Sequence, residues 1–397
     1  MAVFRPFEMK GRPLDDQVMS WNDMVKAPYD KNNVDTFTRT RVILMNGIEN
    51  ASVLMSHCLS RMIDNDEIKR QLSFIRRLDS LQQQTVNWLH PANQSVTETT
   101  IGYEQLAVDL TANLAQNEPD GYFKQVLDFA LLEDFDHLFR YGCLLELLEG
   151  KDPNNITQGK TMIKEGRPTK FHHRHPCDEM RKHFDGQAAS LKSKMNNLTI
   201  VAAEQQTELF YKSHGFMYQN DLARKLYFEI ADIEEQHVTQ YELVGDPSES
   251  PLEKMCMMQL CEAYNYYSCA ETEPDSRIKS IWMQFAEDEI QHFMVMNGLL
   301  QQFEGRDIRD VMKTDTIEPL IVLQENKDYV QQVLDTQVQL QPFIVSAVPL
   351  ETEWRSYQDL PSDWPSFGWR DKQNADGVPS DQVVERARKE AMIPQAV

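Results

Sequence analysis

The chain has 397 residues, enough to bury a sizeable core in one large helical domain with appendages or in two smaller ones. A formal net charge of −22 and a pI near 4.9 argue against nucleic acid and anionic membrane as main partners and leave a basic partner, such as an electron-transfer protein, open. Six cysteines without a Cys-x-x-Cys pair, no signal-like apolar start and no long apolar run point to buried thiols in a cytoplasmic chain, neither secreted nor membrane-spanning.

After a polar, proline-containing arm over residues 1–35, apolar residues recur at helical spacing over 36–64 and 66–89, a first hairpin turning near Asn65. His90-Pro91-Ala92-Asn93 breaks the pattern. A second hairpin runs over 97–117 and 120–149, turning at Asn117-Glu118-Pro119-Asp120-Gly121. Residues 150–186 lose periodicity and collect glycine and proline, so they read as a long crossover. A third hairpin covers 187–213 and 220–244, and after a short link a fourth covers 252–271 and 276–305. The expected class is all-α: a helical domain over 36–310 with its core bundle near 97–245, then a C-terminal helix and an irregular tail over 311–397. The Trp- and Pro-containing stretch over 342–379 reads as a surface wrap or subunit contact without chemistry.

One spacing carries the chemistry. Glu104 is followed by Asp134-x-x-His137, and 100 residues later Glu204 is followed by Glu234-x-x-His237. On a helix, i and i+3 share a face, so each acid-x-x-His pair can offer a carboxylate and an imidazole to one ion. The partner glutamate lies one hairpin arm upstream, at the same level of the bundle. Acid-x-x-His alone means little in a chain with 62 acids and ten histidines; matched hairpin arms within apolar helices mean more, because buried charge requires pairing or metal. A third instance, Glu262 with Glu289-x-x-His292, is a rival set. Hairpins related across a bundle need a connection long enough to travel back along it, and residues 150–186 qualify, so the second and third hairpins are the expected pair.

These residues resemble the ferritin-like diiron-carboxylate superfamily, in its oxygenase and ribonucleotide-reductase small-subunit branch. The resemblance covers about 97–244. It implies a ferritin-like four-helix bundle with flanking hairpins, two iron ions (manganese being the alternative), Glu104, Asp134 and His137 on one ion, and Glu204, Glu234 and His237 on the other. Bridging candidates are Glu234 and either Asp134 or Glu133. Asp134 departs from the family's usual glutamate by a shorter arm. Where oxygenases of the family often carry a hydroxyl, Glu208 stands with Thr207 beside it, and an extra carboxylate is closer to peroxide-handling members. Tyr141, one turn after His137, resembles the position of a radical-bearing tyrosine, although a packed core tyrosine is the plainer reading.

The implied activity is dioxygen activation to oxidise a small organic substrate, using an external electron donor, with no nucleic-acid or membrane partner and a homodimer compatible. Alternatives are a rubrerythrin-like peroxide-scavenging oxidase and a non-catalytic helical subunit with a degenerate site. The three histidines His172, His173 and His175 in the crossover read as a solvated basic loop or a metal-binding cluster, and Met255-Cys256-Met257-Met258 with Tyr264, Tyr266 and Tyr267 as core packing or a channel lining.

Overall fold

The computed structural model describes residues 3–347 and 350–391; residues 392–397 of the expected tail lie outside the described residues. The described chain is mostly helical. Eight of its helices, each 22–29 residues long, form four hairpins: α1 (Thr36–Met62) with α2 (Asp66–Asn87), α3 (Val96–Asn117) with α4 (Gly121–Glu149), α5 (Leu191–His214) with α6 (Asp221–Val244), and α7 (Pro251–Thr272) with α8 (Ser276–Glu304).

Each of the eight opens on a side-chain cap. Asp35, Asn65, Ser95, Asp120, Ser190, Asn220, Ser250 and Asp275 all accept a backbone N–H of the first turn. Each such cap contributes about 1 kcal/mol. Ser190 starts α5 four residues after the expected position, because residues 187–189 are spent in a turn. Gly150 and Gly305 end α4 and α8 with φ of 62° and 65°, a left-handed geometry glycine adopts without strain.

The hairpins assemble as two four-helix bundles, one nested in the sequence of the other. The inner bundle pairs α3–α4 with α5–α6, and the outer bundle pairs α1–α2 with α7–α8. Helix α1 also packs on α3 and α5, and α5 on α7, so the bundles share a seam. This corrects the expectation of merely flanking hairpins: the first and fourth form a bundle of their own. The second helices of the hairpins start 55 residues apart, α2 at Asp66 against α4 at Gly121 and α6 at Asp221 against α8 at Ser276, whereas the first helices, α1 against α3 and α5 against α7, start 60 apart.

The crossover is not a solvated loop, as its basic residues suggested. Arg167, His172, Arg174 and Arg181 are buried against the inner bundle. The C-terminal region covers them from outside and holds more structure than expected. Helix α9 (Lys327–Gln337) packs on α4, an antiparallel hairpin of β1 (Leu340–Ala347) and β2 (Leu350–Ser356) follows, and then come α10 (Pro365–Gln373) and α11 (Pro379–Ala391). Helix α11 lies on α4 and α6, burying Val383 and Val384 while Asp381 meets Arg140 at 3.1 Å. The helix is clearly amphipathic, but its low overall hydropathy leaves only a thin apolar stripe to be read in the sequence.

Of the six thiols, Cys256, Cys261 and Cys269 are buried but Cys58 and Cys177 are exposed, which corrects the expectation of uniformly buried cysteines. No helix among the described residues is long and apolar enough to cross a membrane.

Candidate metal centre

Glu104 on α3, Asp134 and His137 on α4, Glu204 on α5, and Glu234 and His237 on α6 meet in the middle of the inner bundle, and none is more than 1% exposed. Two overlapping groups share Glu234: Asp134, Glu204, Glu234 and His237, and Glu104, His137 and Glu234, with ligand atoms in each within 4.8 Å of one another. The shared member is Glu234, whose Oε1 lies 3.0 Å from His137 Nδ1 and whose Oε2 lies 3.1 Å from His237 Nδ1. Asp134 therefore groups with Glu204 and His237 across the bundle, with Oδ1 3.2 Å from His237 Nδ1, rather than with its hairpin mates.

Both imidazoles present Nδ1 to the cluster. The outer nitrogen of His237 meets Glu133 Oε2 at 3.1 Å. Glu133 is in turn gripped by Arg174 Nη1 and Nη2 at 2.5 and 2.9 Å and by Arg167 Nη1 at 3.0 Å. Burial alone would raise the Glu133 carboxyl, but Arg174, His172, His237 and Arg167 together hold it well below the usual range. Glu133 thus orients a histidine and is not the bridging carboxylate that its neighbourhood to Asp134 suggested. It sits one residue before Asp134, turned toward the crossover arginines.

Four carboxylates in one apolar chamber repel one another. Burial, then Glu234, pushes Glu104 well above its ordinary range, and burial, then Asp134, does the same to Glu204. Glu234 goes the other way: against burial, His137 and His237 hold it down to about 2. No arginine or lysine among the described residues pairs with Glu104, Asp134, Glu204 or Glu234. Glu104 Oε2 and both Glu204 oxygens have no hydrogen-bond partner although fully enclosed. Such orphaned acceptors are costly unless a cation meets them. Two divalent ions would balance the four carboxylates, and the donor set of oxygen with some imidazole nitrogen suits iron or manganese.

The remaining candidates fall elsewhere. Glu208 turns away from the cluster to pair with Lys212 at the α5–α6 seam, so it adds no fifth carboxylate. Thr207 donates its hydroxyl to Ala203 O at 2.9 Å on its own helix. Tyr141 is fully buried with an unpartnered hydroxyl, its ring 5.1 Å from that of Tyr211 and 4.9 Å from that of Tyr227. Tyr211 itself donates to Glu104 Oε1 at 2.5 Å, a contact no spacing in the sequence announced.

His172, His173 and His175 do not converge. His172 packs its ring 5.5 Å from His137, His173 Nε2 lies 3.0 Å from Glu229 Oε1, and His175 packs beside Trp369. A cleft of about 550 Å³ opens between the bundles, lined by Met55, Leu198, Val201, Met257 and Met258, and it touches none of the six cluster residues. Tyr264 and Tyr266 are core residues.

Glu262, Glu289 and His292, the rival set, do not compete for this centre. They meet Glu49 and Asp79 inside the outer bundle, because the fourth hairpin packs on the first. Compared with known proteins, the chain matches no family model, no curated protein and no solved structure.

Proposed function

We propose that the inner bundle is a ferritin-like centre for two iron ions, manganese being the alternative, and that the protein is a non-heme di-iron oxygenase or oxidase acting on a small organic substrate with an external electron donor. The observation carrying this reading is the convergence of four buried carboxylates and two histidines, with no carboxylate neutralised by a lysine or arginine among the described residues and several oxygens orphaned. Glu104 and His137 would hold one ion, Asp134, Glu204 and His237 the other, and Glu234 would bridge. The chemistry such a centre would supply when loaded is the reductive activation of dioxygen, with the external donor furnishing the electrons.

The chain's own residues prepare that chemistry. Glu133 accepts the proton-bearing Nε2 of His237, which leaves Nδ1 free to bind metal and fixes the ring. Arg167 and Arg174 keep Glu133 ionised for that task. Tyr211 anchors Glu104 in one rotamer through its hydroxyl. Tyr141, Tyr211 and Tyr227 pack as an aromatic wall that excludes water from the Glu104 side. With Glu208 committed to Lys212, the peroxide-scavenging alternative loses the extra carboxylate that favoured it.

The test is metal content followed by turnover. Purified protein should carry close to two iron or manganese equivalents in the inner bundle, reduced by Glu234→Ala and His137→Ala, and the reduced iron form should consume dioxygen. Metal content unchanged in both variants would refute the assignment.

A further inference from the structure

The 55-residue offset extends from helix boundaries to the polar interior. Glu49 matches Glu104, Asp79 matches Asp134, Glu289 matches Glu234, His292 matches His237 and Tyr266 matches Tyr211. Tyr266 even repeats the Tyr211 contact, donating to Glu49 Oε1 at 2.6 Å. Two positions differ. Gln82 stands where His137 would recur, and the carboxylate of α7 has moved one turn: Gln259 matches Glu204, while Glu262 matches Thr207.

The result is a second enclosed cluster. Glu49, Asp79, Glu262, Glu289 and His292 come from all four helices of the outer bundle, and each is fully buried. Ligand atoms of Asp79, Glu289 and His292 lie within 4.8 Å of one another, as do those of Glu49, Asp79, Glu262 and Glu289. His292 Nδ1 is 3.1 Å from both Asp79 Oδ1 and Glu289 Oε2. Glu49 Oε2, Glu262 Oε1 and Glu289 Oε1 have no hydrogen-bond partner. Among the described residues no lysine or arginine pairs with these four acids; the nearby Arg12 is committed to Asp288 at 2.6 and 2.8 Å.

The histidine is also preset for metal. Gln17 Nε2 donates to Arg12 O at 2.8 Å, which turns Gln17 Oε1 toward His292 Nε2 at 2.6 Å. That acceptor holds a ring proton on Nε2, so Nδ1, facing Asp79 and Glu289, is the nitrogen that can take a cation in place of a proton.

We propose that the outer bundle holds a second divalent-cation site, in which Asp79, Glu289 and His292 bind one ion of the manganese or ferrous class and Glu49 and Glu262 complete its oxygen shell. One imidazole instead of two makes this donor set harder and richer in oxygen than the inner one, and it offers a nitrogen ligand to one ion only. The site shares no residue with the inner centre, so it stands or falls separately from the oxygenase reading.

The experiment uses the full chain, stripped with chelator, re-equilibrated with Mn²⁺, desalted, and read by elemental analysis and by the electron-paramagnetic signal of bound Mn²⁺. A variant with Glu234→Ala and His237→Ala empties the inner cluster and should retain one Mn²⁺ equivalent. Glu289→Gln with His292→Gln should lose one equivalent relative to the unmodified chain, with far-UV circular dichroism confirming the fold. Should that pair fail to fold, the isosteric Glu262→Gln should weaken Mn²⁺ retention in the inner-null background by at least about tenfold. An inner-null chain that binds no Mn²⁺, or outer variants whose Mn²⁺ content and affinity match their parents, would overturn the proposal.

Discussion

Replacing Arg174 by methionine tests whether the crossover holds the centre in place. Arg174 makes two hydrogen bonds to Glu133, at 2.5 and 2.9 Å, and a third from Nε to Glu179 Oε1 at 2.6 Å, all shielded from water. Methionine fills much of the volume, so the loss is electrostatic. Three charge-assisted bonds at about 1.5–3 kcal/mol each set an upper bound. Removing one partner of a buried ion pair costs about 3–5 kcal/mol, because the other charge remains. Glu133 keeps Arg167 and His237, and Glu179 keeps Gln240, so the expected cost falls at the low end, about 3 kcal/mol. Urea denaturation of chelator-treated protein measures it, and hydrogen exchange read by mass spectrometry locates it. Peptides from α4 and residues 165–185 should exchange faster while α7 and α8 stay unchanged. Adding Glu133→Gln to Arg174→Met should recover part of the loss, since the uncompensated charge is gone. A cost below about 1 kcal/mol, or a double variant no better than the sum of the singles, would refute the clamp.

Glu133→Gln alone removes the charge behind His237 and should weaken metal retention at the inner centre by about 10–100-fold, measured by chelator competition. Gly47 lies on the seam between bundles, where a Cβ would come within 2.5 Å of Gln206 Cδ; Gln206 is pinned by Ile43 O and Asn46, so it cannot retreat. Gly47→Ala should therefore destabilise by about 1–2 kcal/mol in urea, overpacking outweighing the gain of about 1 kcal/mol in helix propensity. Asp109 is fully buried, and burial pushes its carboxyl up to about 7 despite the Thr161 hydroxyl at 2.6 Å. A carboxyl whose folded value is raised binds more protons folded than unfolded between about pH 4 and 7, so stability falls as pH rises through that window. Asp109→Asn should remove that slope and gain stability at pH 8 by a few kcal/mol, with the gap closing by pH 4; thermal melts at pH 5, 6.5 and 8 check it.

Much of the fold is legible because the signals are local. Caps such as Asn65, Asp120 and Asp275 mark helix starts, and a long crossover with short links elsewhere determines which hairpins can face each other. What stayed hidden depended on distance or on one substitution. Glu49 and Asp79 are separated by 30 positions, as are Glu104 and Asp134, but Gln82 replaces the histidine on which a search for acid-x-x-His depends. Glu133 takes its partners from Arg167 and Arg174, and nothing in its own helix foretells them. Glu208 sits one turn from Glu204, yet Lys212 one turn farther draws it out to the seam. The burial of His172 and Arg174 depends on the C-terminal region closing over them, with Ser366 bonding His175 N and Asp178.

The nesting of one bundle within the other also dictates an order of assembly. Helices α3 to α6 are contiguous in sequence, so the inner bundle can close as soon as residue 244 is available. Helix α1 can settle on α3 and α5 as these close, but its Glu49 side waits for α7, which begins at Pro251. During synthesis the face of the first hairpin that lines the outer bundle is thus exposed longest, and with it the surface most prone to wrong association, until the last hairpin arrives to enclose it. Loop closure over so long an interval costs only slightly more than over a short one, so the inner bundle acts as a preassembled spacer that brings the two outer hairpins together.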